Sequence, residues 1–239
     1  MIFLLTMHNL AYGRRAVFIE GISKDYNEET LTFNGYTDSW GGVIFLEKMG
    51  TIKIDCSTIT FKDNRATESG GAMIITRESN LIVSGSTVNF TSNTARDKGG
   101  AIKIFDKAGL TFSGSTVGFK NNMGCYGGGA FLLASSIAFN NSVVDFAGNE
   151  AKIDGGAISI ENCSTITLKS AGFIFRGNVA DFGGAIYNDH RTLNLNSYGG
   201  NIEFVNNTAR IEQGHDIYSK SGVMNISGIG DVIIGGGIA

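Results

Sequence analysis

Six acidic side chains, Asp38, Glu68, Asp97, Asp154, Asp181 and Glu212, recur just ahead of glycine-rich turns, with Arg65, Arg96, Lys152 and Arg210 interleaved. Carboxylates of this kind can hydrolyse polysaccharides, one protonating the leaving oxygen while another attacks or activates water. That chemistry needs two or three of them gathered at one place. Here they are spread along the chain, with a break at Cys125-Tyr126 and cations between them, which is the pattern of solvated turns. A polysaccharide-active enzyme is therefore only a third reading, and the chain is expected not to be an enzyme. His8, His190 and His215 neither repeat nor have partners at a recognisable spacing. Gln213-Gly214-His215-Asp216 looks superficially like a catalytic fragment, but reads better as a decayed copy of a glycine motif. Cys56, Cys125 and Cys163 lack the spacing of a zinc site, and their odd number argues against a disulfide framework. Free, mostly buried thiols are expected, with no metal and no cofactor.

Composition excludes further classes. Nineteen basic against 22 acidic residues give a net charge of −3 without a basic stripe, so nucleic acid is not an expected partner. Glycine is 34 of 239 residues and proline is absent, yet 42% hydrophobic residues supply a core and no Gly-X-Y period exists. No apolar run approaches the roughly 18 residues of a membrane-spanning helix. Met1–Leu10 is apolar but has no basic residue ahead of it, since Arg14 and Arg15 follow. It reads as a first strand or cap in preference to a signal-peptide remnant.

The elements that position these residues are set by a repeat. A glycine pair and a small residue recur at Gly41-Gly42-Val43, Gly70-Gly71-Ala72, Gly99-Gly100-Ala101, Gly128-Gly129-Ala130, Gly155-Gly156-Ala157 and Gly183-Gly184-Ala185, spaced 29, 29, 29, 27 and 28 residues apart. In phase with it runs Phe-x-x-Asn, at Phe61/Asn64, Phe90/Asn93, Phe119/Asn122, Phe146/Asn149, Phe175/Asn178 and Phe204/Asn207. Phe33-Asn-Gly-Tyr36 is an imperfect earlier copy. Between motifs the chain makes short runs such as Ala101–Phe105, Leu110–Ser113 and Thr116–Phe119, β-branched or aromatic and bounded by Gly, Asn, Ser or Asp.

Three short strands in each unit of 27–30 residues fit one coil of a parallel β-helix, in which equivalent positions stack. The expected fold is all-β: a single parallel β-helix of about seven coils over 33–217, with 1–32 as an N-terminal strand or cap region and 218–239 as an extra rung or cap. The phenylalanines should form an internal ladder. Asparagine should occupy a left-handed bend and bond to the next coil through its amide. The glycines should supply backbone conformations closed to other residues. Ile44/Leu46, Met73/Ile75, Ile102/Ile104, Phe131/Leu133 and Ile158/Ile160 alternate as the inward set. Phe45, Ile74, Lys103, Leu132, Ser159 and Tyr187 then point outward, flanked by Val43, Ala72, Ala101, Ala130, Ala157 and Ala185. That predicts a flat, apolar outer face suited to binding, unless a terminal segment covers it.

Phe61-Lys-Asp-Asn64 with Gly70-Gly-Ala-Met73, and Phe90-Thr-Ser-Asn93 with Gly99-Gly-Ala-Ile102, resemble the repeats of the chlamydial polymorphic membrane proteins. The resemblance runs from about Phe33 to Ile217. It implies a right-handed β-helix passenger, displayed by autotransport at the outer membrane or outside the cell and adhering to host cells, with both tetrapeptides implicated in adhesion. Parallel crossovers share that handedness. The family's translocator barrel is not among these residues, so the resemblance covers the passenger-like region alone. The expected function is a surface adhesin or binding module for a protein or glycan. The alternative is a structural subunit stacking head to tail with identical subunits into a filament or layer.

Overall fold

The computed structural model describes residues 17–20, 23–27, 30–133, 136–161, 165–189, 192–220, 222–228, 230–235 and 237. Met1–Leu10, His8, Cys163 and His190 lie outside them. The described residues form strands without a helix, and every pairing between strands is parallel and joins one coil to the next. The structure is a β-solenoid of about seven turns.

Each coil takes one strand from each of four faces. In the coil after Gly99 these are Ile102–Ile104, Gly109–Ser113, Thr116–Lys120 and Met123–Gly124. The first three match the runs read from the sequence. The fourth is a two-residue strand at the bend after the asparagine, too short to show as a periodic run. The first and third faces are eight-stranded sheets, the fourth has seven strands, and the second is divided into five and three. Equivalent motif positions pair in register, Phe61 with Phe90 and Phe90 with Phe119. A described first coil begins at Val17, ahead of the motif copies, and Val223–Gly228 and Val232–Ile234 add strands to the last rung.

Alternation drives the strands. Thr87–Thr91 buries Val88 and Phe90 and turns the residues between them outward. Inside, Phe33, Phe61, Phe90, Phe119, Phe146, Phe175 and Phe204 stack with ring centroids 4.7–4.9 Å apart and planes within 2–11° of parallel. That spacing is the distance between neighbouring strands, so the backbone ladder sets the ring offset.

Beside the rings runs a buried asparagine ladder. Nδ2 of Asn93 donates to the carbonyl of Phe61 and to Oδ1 of Asn122, each at 3.0 Å, and the same Oδ1 accepts the Asn93 backbone N–H. Asn64, Asn122, Asn149 and Asn178 repeat the arrangement. The left-handed residue at this bend is not the asparagine but the one before it: Asp63, Ser92, Asn121, Gly148, Gly177 and Asn206, with φ of 53–63°. The ladder fixes the asparagine side chain, and the reversal falls to its neighbour, where Asp, Ser, Asn and Gly tolerate positive φ. Glycine pairs are required twice over: Gly99 has φ +68°, and a Cβ on Gly100 would lie 2.0 Å from the carbonyl oxygen of Gly129.

Candidate functional site: a trough along the first sheet

The outward row of the first sheet is in register, Phe45 beside Ile74, Ile74 beside Lys103, Lys103 beside Leu132, Leu132 beside Ser159 and Ser159 beside Tyr187, with Tyr218 next. The Leu132 side chain lies outside the described residues. The face is not the flat, apolar plane expected from alternation. Ile74 and Ser159 are fully buried and Tyr187 is only 8% exposed. The glycine-pair turns rise beside the sheet and press on this row: a Cβ on Gly70 would stand 2.5 Å from Cγ1 of Ile74, and one on Gly99 3.2 Å from Cβ of Lys103. Val43, Ala72, Ala101, Ala130, Ala157 and Ala185, expected to flank the outer face, lie instead in the core.

Two walls turn the face into a trough. One is built from the residues just before each glycine pair, Trp40, Ser69, Lys98, Gly127, Asp154 and Phe182, of which the last four join in successive backbone bridges. The other is the turn after each strand, carrying Glu47, Thr76-Arg77, Phe105-Asp106, Glu161 and Asp189. Trp40, Phe45, Phe105, Glu47, Thr76, Arg77 and Asp106 line a concavity of about 350 Å³ at one end. Trp40 is 39% exposed. Arg77 pairs with Glu47 at 2.7 Å, and Thr76 donates to Asp106 at 3.2 Å.

The Lys103 ammonium lies 5.4 Å from the Trp40 ring centroid and 5.3 Å from that of Phe105, a cation between two π faces. It donates to Ser69 Oγ at 3.2 Å, and Ser69 donates in turn to Asp97 at 3.0 Å. Burial lowers its pKa, opposed by Asp97. In mid-trough, Lys98 spans two coils to bond both oxygens of Glu161, at 2.9 and 2.7 Å. Gly127, in the wall between them, carries no side chain. Asp154 lies beside this pair. Burial, then the charge of Glu161, raises its pKa to about 6 against the pull of Lys98. Beyond it Tyr187 stacks on Tyr218 at 5.7 Å and Phe182 lies 5.4 Å from Tyr218. Burial raises the Tyr187 pKa. The trough is thus aromatic at both ends and ionic between.

Of the acidic row, Asp154 turns into this cluster because it alone stands directly before its glycine pair. Asp38, Glu68, Asp97 and Asp181 sit two or three places earlier, and the Glu212 side chain is outside the described residues. Trp40, Lys98, Phe105 and Glu161 were not singled out from sequence. Their signal is position: Trp40 and Lys98 stand directly before a glycine pair, and Phe105 and Glu161 directly after the first-sheet strand, where residue types do not repeat. Cys56 is buried and Cys125 half-buried, and neither is joined in a disulfide. Among the described residues no group of three or more His, Cys, Asp or Glu could hold a metal ion, and no helix is long and apolar enough to cross a membrane.

The profile of the Chlamydia polymorphic membrane protein repeat matches residues 87–104 and 172–189, each holding one Phe-x-x-Asn and one Gly-Gly-Ala-Ile. The probable outer membrane protein PmpD of Chlamydia trachomatis serovar D is 38% identical over 88 residues, which are 34% of this chain and 6% of that protein. No solved structure matches the chain. The two matched copies are in phase with further copies of the same motif pair on one continuous solenoid, and in them the chain is similar to the Chlamydia polymorphic membrane protein repeat.

Proposed function

We propose that the chain is a non-enzymatic passenger segment displayed at a cell surface or outer membrane, and that it binds a protein or glycan along the trough of its first sheet. The observation carrying this reading is the trough itself, a concave strip with Trp40 and Phe105 exposing aromatic surface beside fixed charged groups at one end. Aromatic anchors next to oriented polar groups are what recognition surfaces use. The likeness to an outer membrane protein supports the location. The carboxylates support binding over catalysis, since Glu161 is clasped by Lys98 and Glu47 by Arg77.

The test is binding of labelled chain to epithelial cells and to an immobilised glycan panel. Trp40→Ala with Phe105→Ala should lower binding at least about tenfold, as loss of aromatic hot spots does. Lys62→Ala, on the third sheet, should leave it unchanged. Equal binding by all three proteins would move the site off the trough.

A further inference from the structure

Asn207 ends the asparagine ladder, and the sequence a repeat further on is Gly235-Gly236-Gly237. Its Nδ2 donates to the carbonyl of Phe175 at 3.0 Å, as in every earlier rung, but its second bond runs to Oδ1 of Asp216 at 2.9 Å. Asp216 stands where the other copies have the alanine of Gly-Gly-Ala, and it is fully buried. His215 stands where they have the second glycine, and its Nδ1 accepts the Ala209 N–H at 3.1 Å. Ala209 lies on Thr208–Gln213, the edge strand of the fourth sheet.

Two more partners are replaced at this corner. In an internal coil the carbonyl of Ala185 accepts the N–H groups of Ala157 and Ile158; here the carbonyl of Gly237 accepts those of Asp216 and Ile217, at 3.2 and 3.5 Å. The Phe204 carbonyl, which a further asparagine would bond, accepts the Gly235 N–H at 3.2 Å.

We infer that His215, Asp216, Gly235 and Gly237 form a cap that closes the asparagine corner of the solenoid, so the altered Gly-His-Asp copy is a stop built into the repeat and not a decayed unit. A carboxylate suits the place because it only accepts, whereas an asparagine also brings two N–H donors that want a further coil. Its burial is tolerated because it is hydrogen-bonded. Another coil laid on this corner in the repeat's own register must first displace Asp216 and the bonds made by Gly235 and Gly237. Stacking of copies through this end is thereby opposed, although the strands Val223–Gly228 and Val232–Ile234 end their sheets.

Restoring the repeat tests the cap. His215→Gly with Asp216→Ala recreates the Gly-Gly-Ala of the other copies in the full chain. If the copy is a decayed repeat, the restored version holds the corner as well as or better than the original. If it is a cap, amide exchange read by mass spectrometry should speed up by about tenfold or more over residues 207–210, with residues 87–104 unchanged, because buried donors have lost their acceptors. Asp216→Asn, which keeps an acceptor oxygen in place and disturbs folding less, should retain most of the protection. Unchanged exchange in the double variant overturns the cap. So does a loss in Asp216→Asn as large as that in the double variant.

Discussion

Asp154 carries a carboxylate that the fold holds at a cost. Its pKa of about 6 lies above the ordinary 3.8, so the folded chain binds its proton more tightly than the unfolded chain does. Where folding favours the protonated acid, stability falls as pH rises from about 4 to about 6, and the penalty is fully present above that. Asp154→Asn should therefore raise the melting temperature at pH 7 to 8, and the gap from wild type should close near pH 4. A gap of the same size at both pH values would mean that burial and Glu161 do not strain this group. Lys98, Asp189 and Lys220 also act on it, and Lys98 is bound to Glu161, so the variant reports on the whole mid-trough cluster.

The ring ladder is an element that belongs to no single strand, and its strength should vary along its length. Phe119 stacks on Phe90 and Phe146 and meets Phe131 edge-on, with centroids 4.5 Å apart. Phe33 stacks on Phe61 and touches Tyr36 at 6.4 Å. Phe119→Ala should cost about 3–5 kcal/mol in urea unfolding, through lost burial and a cavity that parallel coils cannot collapse to fill. Phe33→Ala, nearer the ladder's end, should cost less. Equal losses would show that the stack does not act as a continuous column. The asparagine ladder beside it bears on the same element: each Nδ2 bonds both the coil before and the coil after, so adjacent coils are tied by side chains as well as by strands.

At the scale of the molecule, a rod of parallel coils has two kinds of surface, its ends and its sides. Exposed strand ends invite pairing with another chain. The asparagine corner after Asn207 is already met by Asp216, His215 and Gly237, which opposes pairing with another chain at that corner. Sedimentation velocity on the pure chain should accordingly show one species whose size does not grow with concentration. Concentration-dependent filaments would support the head-to-tail alternative and argue that the cap opens.

The solenoid, the ring ladder and the inward set could all be read from the chain because a solenoid writes its contacts as a period. Residues 27–29 apart become neighbours, so Phe90 and Phe119 announce their contact by their spacing. The left-handed bend is different: the sequence reading puts it on the asparagine, one residue too late, because Asp63, Ser92, Asn121 and Gly148 at the position before it share only a tolerance of positive φ. The trough was not legible either. Lys98 and Glu161 are 63 residues apart and stand at positions whose residue type does not repeat, so no spacing announces their bond. Whether an outward residue is exposed was likewise settled only when the glycine turns folded up beside it, burying Ile74 and Ser159. Asp216 shows the same division. Its sequence position marks a broken motif, while its function as an acceptor depends on Asn207 arriving beside it in the folded coil. Periodic contacts are encoded in the spacing; contacts that break the period depend on how the turns lean, and that is decided by packing in three dimensions.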